Sequence, residues 1–77
     1  MGTFFVVGSG IDAIFSRIVE FFGADDVSLV TADEVLPRRI VIRTKIYTHQ
    51  AVHELVREYG GDSCAVLKPY QRLIPLV

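Results

Sequence analysis

From Thr3 to Val7 the chain runs Thr-Phe-Phe-Val-Val, β-branched and aromatic throughout, and reads as a strand. Past Gly8-Ser9-Gly10 the apolar period lengthens. Ile11, Ile14, Phe15, Ile18, Val19 and Phe22 recur at helical spacing, with Asp12, Arg17 and Glu20 on the other side. Ser9, followed three residues later by Asp12, predicts a capped helix start of the S-x-x-D kind, and Gly23 predicts its C′ end. Val27 to Ala32 reads as a second strand. Asp33 to Pro37 is a connection, because Pro37 cannot donate to a ladder. Arg39 to Tyr47 alternates strictly: Ile40, Ile42, Thr44 and Ile46 fall on one face, and Arg39, Val41, Arg43, Lys45 and Tyr47 on the other. Thr48 predicts the cap of a second helix through about Tyr59, with Val52, Leu55, Val56 and Tyr59 as its buried stripe. Gly60-Gly61 stops that helix, and Ser63 to Lys68 reads as a fourth strand. The apolar tail 70–77 contains Pro75, which confines any strand there to a sheet edge.

The order β-α-β-β-α-β admits two architectures. A small Rossmann-like α/β sheet is covered on both faces, and its strands are continuous apolar runs. A ferredoxin-like sandwich lays both helices on one face of an antiparallel sheet and leaves the other open. The third strand decides between them, because its alternation with basic residues on one side needs an exposed face. A single α+β domain over residues 1–77 is expected, of the ferredoxin-like kind.

Composition narrows the class. The chain has 77 residues, of which 51% are hydrophobic and 22% charged, and a mean hydropathy of +0.40. Disorder needs lower hydrophobicity or a higher net charge than −1. A single cysteine, Cys64, leaves no disulfide framework, and its apolar surroundings make it a small buried hydrophobe. No apolar run has the length of a membrane span, and the start lacks the basic, small-residue pattern of a signal peptide. A cytoplasmic setting is expected, with no membrane partner. A domain this small buries only about 60% of its unfolded surface. The apolar surplus, including Leu73, Ile74, Leu76 and Val77, therefore predicts a homo-oligomer, a dimer by default.

Three constellations carry candidate chemistry. Gly8-Ser9-Gly10-Ile11-Asp12-Ala13 matches G-x-G-x-x-A between a strand and a helix, and Asp33 stands where a ribose-binding acid would. The plainer reading is a tight turn, since Asp12 would repel phosphate. His49 and His53 stand four apart on one helix face, a spacing for two zinc ligands, with Glu54 or Cys64 as a third. The plainer reading is two solvent-facing histidines. Arg38, Arg39, Arg43 and Lys45, beside Phe4, Tyr47 or Tyr70, would suit single-stranded RNA held by phosphate contact and stacking. The same strand equally suits a solvated face, or one that meets the acidic half of another copy. No nucleophile elbow and no oriented Cys-His pair appear, so an enzyme is not expected, nor a cofactor.

The stretch from Val6 to Leu67 resembles an ACT-type regulatory domain. The glycine-bearing turn at Gly10-Ile11 leads into a helix with Ile14, Phe15 and Ile18, and Phe22-Gly23 with Val27 resembles the helix exit. In place of that family's Asp-x-Pro-Gly turn stands Gly8-Ser9-Gly10. The resemblance implies a non-enzymatic regulatory module with a small ligand at Ser9, Gly10, Ile11 and Asp12, completed by a neighbouring copy. Nucleic-acid binding through Arg38, Arg39, Arg43, Lys45 and Tyr47 is the alternative.

Overall fold

A computed structural model describes residues 2–68; the tail expected to form an edge strand or interface lies outside them. The elements are β1 (Gly2–Val7), α1 (Ile11–Phe22), a 3-10 turn at Ala24–Asp26, β2 (Val27–Val30), β3 (Arg39–Thr44), α2 (His49–Glu58) and β4 (Ala65–Leu67). The strands lie in the order β2-β3-β1-β4, and every neighbouring pair is antiparallel. This is the ferredoxin-like βαββαβ sandwich. The Rossmann-like alternative fails because β3 lies between β1 and β2 and runs against both. The parallel switch point that a dinucleotide needs is therefore not formed.

Register assigns the two faces. Phe4 stands opposite Ile42, Val6 opposite Ile40 and Val66, and Val27 opposite Ile42. These side chains form one core with Ile11, Ile14 and Ile18 of α1 and Val52 and Val56 of α2, so both helices cover the same face. Ile14, Ile18, Ile40 and Ile42 are all essentially fully buried. Each such side chain contributes about 1.5–3 kcal/mol relative to leaving it exposed. Cys64 is buried beside them, as its sequence neighbours implied.

The two helices begin differently. Thr48 is extended (φ −79°, ψ 168°) and its hydroxyl accepts the Ala51 N–H at 3.1 Å, as expected. The capping box at Ser9 is not formed. Gly10 is the N-cap residue of α1 and no side chain caps it; Ser9 Oγ lies instead 3.5 Å from Ser63 Oγ. Gly8 explains the change. At φ +141° it lies so close to the 61–64 loop that a Cβ there would be 2.7 Å from the Ser63 carbonyl oxygen. Close packing against that loop, rather than side-chain capping, shapes the turn.

β3 stops at Thr44, short of the Tyr47 that alternation suggests. The Thr44 hydroxyl accepts from the backbone N–H groups of Ile46 and Tyr47, both at 3.4 Å, and bends the chain off the sheet. Ile46 is thereby thrown outward, 82% exposed rather than on the core face. Tyr47 turns to the helix layer and meets Phe21 and Phe22 edge to face, at 5.4 and 5.5 Å. β2 and β4 are likewise shorter than the apolar runs that contain them.

Urea unfolding tests these assignments. Thr48→Ala is expected to cost about 0.5–2 kcal/mol, the usual cost of a lost N-cap. Ser9→Ala is expected to stay within about 0.5 kcal/mol, as at an ordinary exposed site. Gly8→Ala combines a positive φ with a backbone clash and is expected to cost about 2 kcal/mol or more.

Candidate functional site

The Gly8–Asp12 turn is filled from within. Gly8 and Gly10 face Ser63 and Cys64, and Ile11 is a core residue. Asp12 is gripped by Arg38 through two hydrogen bonds, Nη1 to Oδ2 at 2.8 Å and Nη2 to Oδ1 at 2.5 Å. Ser9 and Asp12 remain at the surface, but the glycines open onto the protein's own loop.

Asp33 is also committed to the protein's own structure. Its Oδ1 accepts the N–H groups of Val35 and Leu36, each at 2.8 Å, and closes the link between β2 and β3. Its Oδ2 lies 3.5 Å from Arg39 Nη2.

The basic strand separates into individual roles. Arg38 belongs to Asp12. Arg39 is 9% exposed, its guanidinium 5.2 Å from the Phe5 ring centroid and Nη1 donating to the Pro37 carbonyl at 3.1 Å. Arg39 Nε is buried with no hydrogen-bond partner among the described residues. Arg43 donates through Nη2 to the Asp25 carbonyl at 2.9 Å. Lys45 lies past the strand end, and Tyr47 is on the helix side. The five residues proposed for nucleic acid therefore do not share one face. Phe4 is a further correction. Its ring is in the core, 5.8 Å from that of His49, and the aromatic on the open face is Phe5.

What the open face does gather is apolar. Register places Leu67, Phe5, Val41 and Ser28 in one row and Ala65, Val7, Arg39 and Val30 in the next. Thr3 and Arg43 pair beyond them. Phe5, Val7, Val30, Val41 and Leu67 are half-buried.

His49 is not solvent-facing. It is half-buried, and its Nε2–H donates to the Val66 carbonyl at 2.6 Å, tying the start of α2 to edge strand β4. His53 has no such partner assigned. Among the described residues no three His, Cys, Asp or Glu side chains gather to hold a metal. Nor, among the described residues, is any helix long and apolar enough to cross a membrane.

Two carboxyls are held below their ordinary value of 3.8. Asp12 is lowered chiefly by the Arg38 hydrogen bonds, and Asp33 by the N–H groups of Leu36 and Val35. A carboxyl depressed in the folded state contributes stability above its unfolded pKa and loses it as pH falls through the folded value. Asp33→Asn keeps an acceptor for the turn but not the charge. Urea unfolding between about pH 5 and 2 is expected to show a shallower loss of stability in this variant than in wild type.

Compared with known proteins, the chain matches no family model, no curated sequence and no solved structure.

Proposed function

We propose that this chain is a small self-associating binding module whose open sheet face docks a second copy of itself. The observation that carries the reading is the row Leu67–Phe5–Val41, apolar across three adjacent strands on the face away from both helices. Apolar residues clustered at the centre of a face, with Arg43 and Thr3 towards its margin, resemble the anatomy of a protein interface. A second copy satisfies the face symmetrically, since a two-fold axis near Phe5 lays one apolar row on the other.

Size sets the strength. Four strands at about 4.8 Å spacing, of three to six residues each at about 3.4 Å, project a face of roughly 300 Å². A standard stable interface takes about 800 Å² per partner. The face alone therefore supports a weak, exchanging dimer. Leu73, Ile74, Leu76 and Val77 would supply additional apolar area. Among the described residues Arg38 and Arg39 are paired with Asp12 and Asp33 and Arg43 is anchored by the Asp25 carbonyl, which favours this reading over nucleic acid.

Sedimentation equilibrium from roughly 1 to 300 µM is expected to show a monomer–dimer exchange with a dissociation constant in the micromolar range. Val41→Glu, at the centre of the row, is expected to leave a folded monomer. A form ending at Tyr70 is expected to dimerise more weakly. A full-length chain that stays monomeric at the highest concentration would overturn the reading.

A further inference from the structure

At the end of the sheet near Gly2 and Thr44 lies an open groove of roughly 910 Å³, within the range of small-molecule sites. Its apolar wall is the cluster of Phe21, Phe22 and Tyr47, whose rings meet edge to face at 4.9–5.5 Å, with Ile46 beside it. Phe21 is 44% exposed and Ile46 82%. Two large apolar side chains left open to water beside a concavity mark a surface that gains by being covered.

The rim carries the charges. Arg43 and Lys45 line the groove, and so does Asp26. The bond from Arg43 Nη2 to the Asp25 carbonyl anchors its guanidinium, while Nη1 and Nε have no partner assigned among the described residues. Lys45 has no ion pair assigned among them either. Two cations against one carboxylate leave a single positive charge, which suits one negative charge on a ligand better than two.

We propose that this groove binds a small apolar monocarboxylate, with an aromatic or branched aliphatic body against Phe21, Tyr47 and Ile46 and its carboxylate between Arg43 and Lys45. Charge-assisted hydrogen bonds to an anchored guanidinium orient the acid, and the aromatic wall takes the body by edge-to-face contact. The site lies well away from the Gly8 turn and does not depend on self-association.

Phenylacetate titrated into ¹⁵N-labelled protein tests the proposal by amide shift changes. Saturable shifts confined to residues 2–3, 21–26 and 43–47 are expected, with a sub-millimolar dissociation constant. Phenylacetamide, the neutral isostere, is expected to bind at least about tenfold more weakly. Phenyl phosphate, a dianion of similar shape, is expected to bind no more tightly than phenylacetate. Lys45→Glu and Ile46→Glu change exposed side chains, so their amide spectra should stay folded while the shifts with phenylacetate are lost. The proposal is overturned by absence of shifts at about 10 mM phenylacetate, by equal affinity for acid and amide, by tighter phenyl phosphate binding, or by shifts centred elsewhere.

Discussion

Pairing from Gly2↔Thr44 to Val7↔Arg39 joins β1 to β3 at the centre of the sheet, and the rest of the sandwich takes its faces from that register. It sends Phe4, Val6, Ile40 and Ile42 toward the helices and Phe5, Val7, Val41 and Arg39 to the opposite side. A slip of one residue would turn Ile40 and Ile42 outward and bring Arg39 and Arg43 inward. Several kilocalories of burial thus oppose the slip. The pairing joins residues far apart in sequence, whereas β2 and β3 meet through the 31–38 link. That hairpin therefore has the lower cost in closure entropy.

The same arrangement changes the meaning of the chain's charge. Charged residues before Arg38 are mostly acidic and those after it mostly basic, a division that in an extended chain looks like two complementary surfaces. Folding brings the halves together inside one copy. Arg38 reaches Asp12 on α1, Arg39 reaches Asp33 in the link, and Arg43 reaches the Asp25 carbonyl. The exposed Arg38–Asp12 pair adds little stability. Together the three contacts draw Arg38, Arg39 and one amino group of Arg43 into the protein's own structure, and the open face is left with an apolar centre instead of a phosphate-binding strip. Arg39 is the extreme case: its guanidinium lies over the Phe5 ring and covers part of the open face.

Periodicity revealed the elements and their order because burial sets the period, as the buried stripe of Ile11, Ile14 and Ile18 on α1 shows. It erred wherever a side chain captured the backbone. Thr44 ends β3 through its hydroxyl, although the alternation of residue types continues past it. The Ser9 capping signal was locally sound. It was overridden by a close approach between Gly8 and the 61–64 loop, which is a tertiary fact with no local signature. Phe4 and Phe5 are chemically alike and adjacent, so only the pairing with Ile42 and Val41 distinguishes the core ring from the surface ring. The groove was invisible for a related reason. Phe22 read as the end of a helical stripe that left Phe21 out, and Tyr47 as a strand residue, until the Thr44 bend brought them together.

Both proposed surfaces pass through one pair of residues. Thr3 and Arg43 face each other on the open side of the sheet and also line the groove at its end. A second copy seated on the face would stand beside the carboxylate-binding edge of the groove, and Arg43 would be a neighbour of both occupants. Thermodynamic linkage then fixes a relation between them: whatever factor a carboxylate applies to dimer affinity, dimerisation applies to carboxylate affinity. Its sign depends on Arg43. A guanidinium neutralised by a carboxylate no longer repels its symmetry mate across a two-fold axis, and like charges brought together on such a face are costly. Neutralisation therefore favours association, and the domain would gain a way to couple occupancy of a small site to its own assembly.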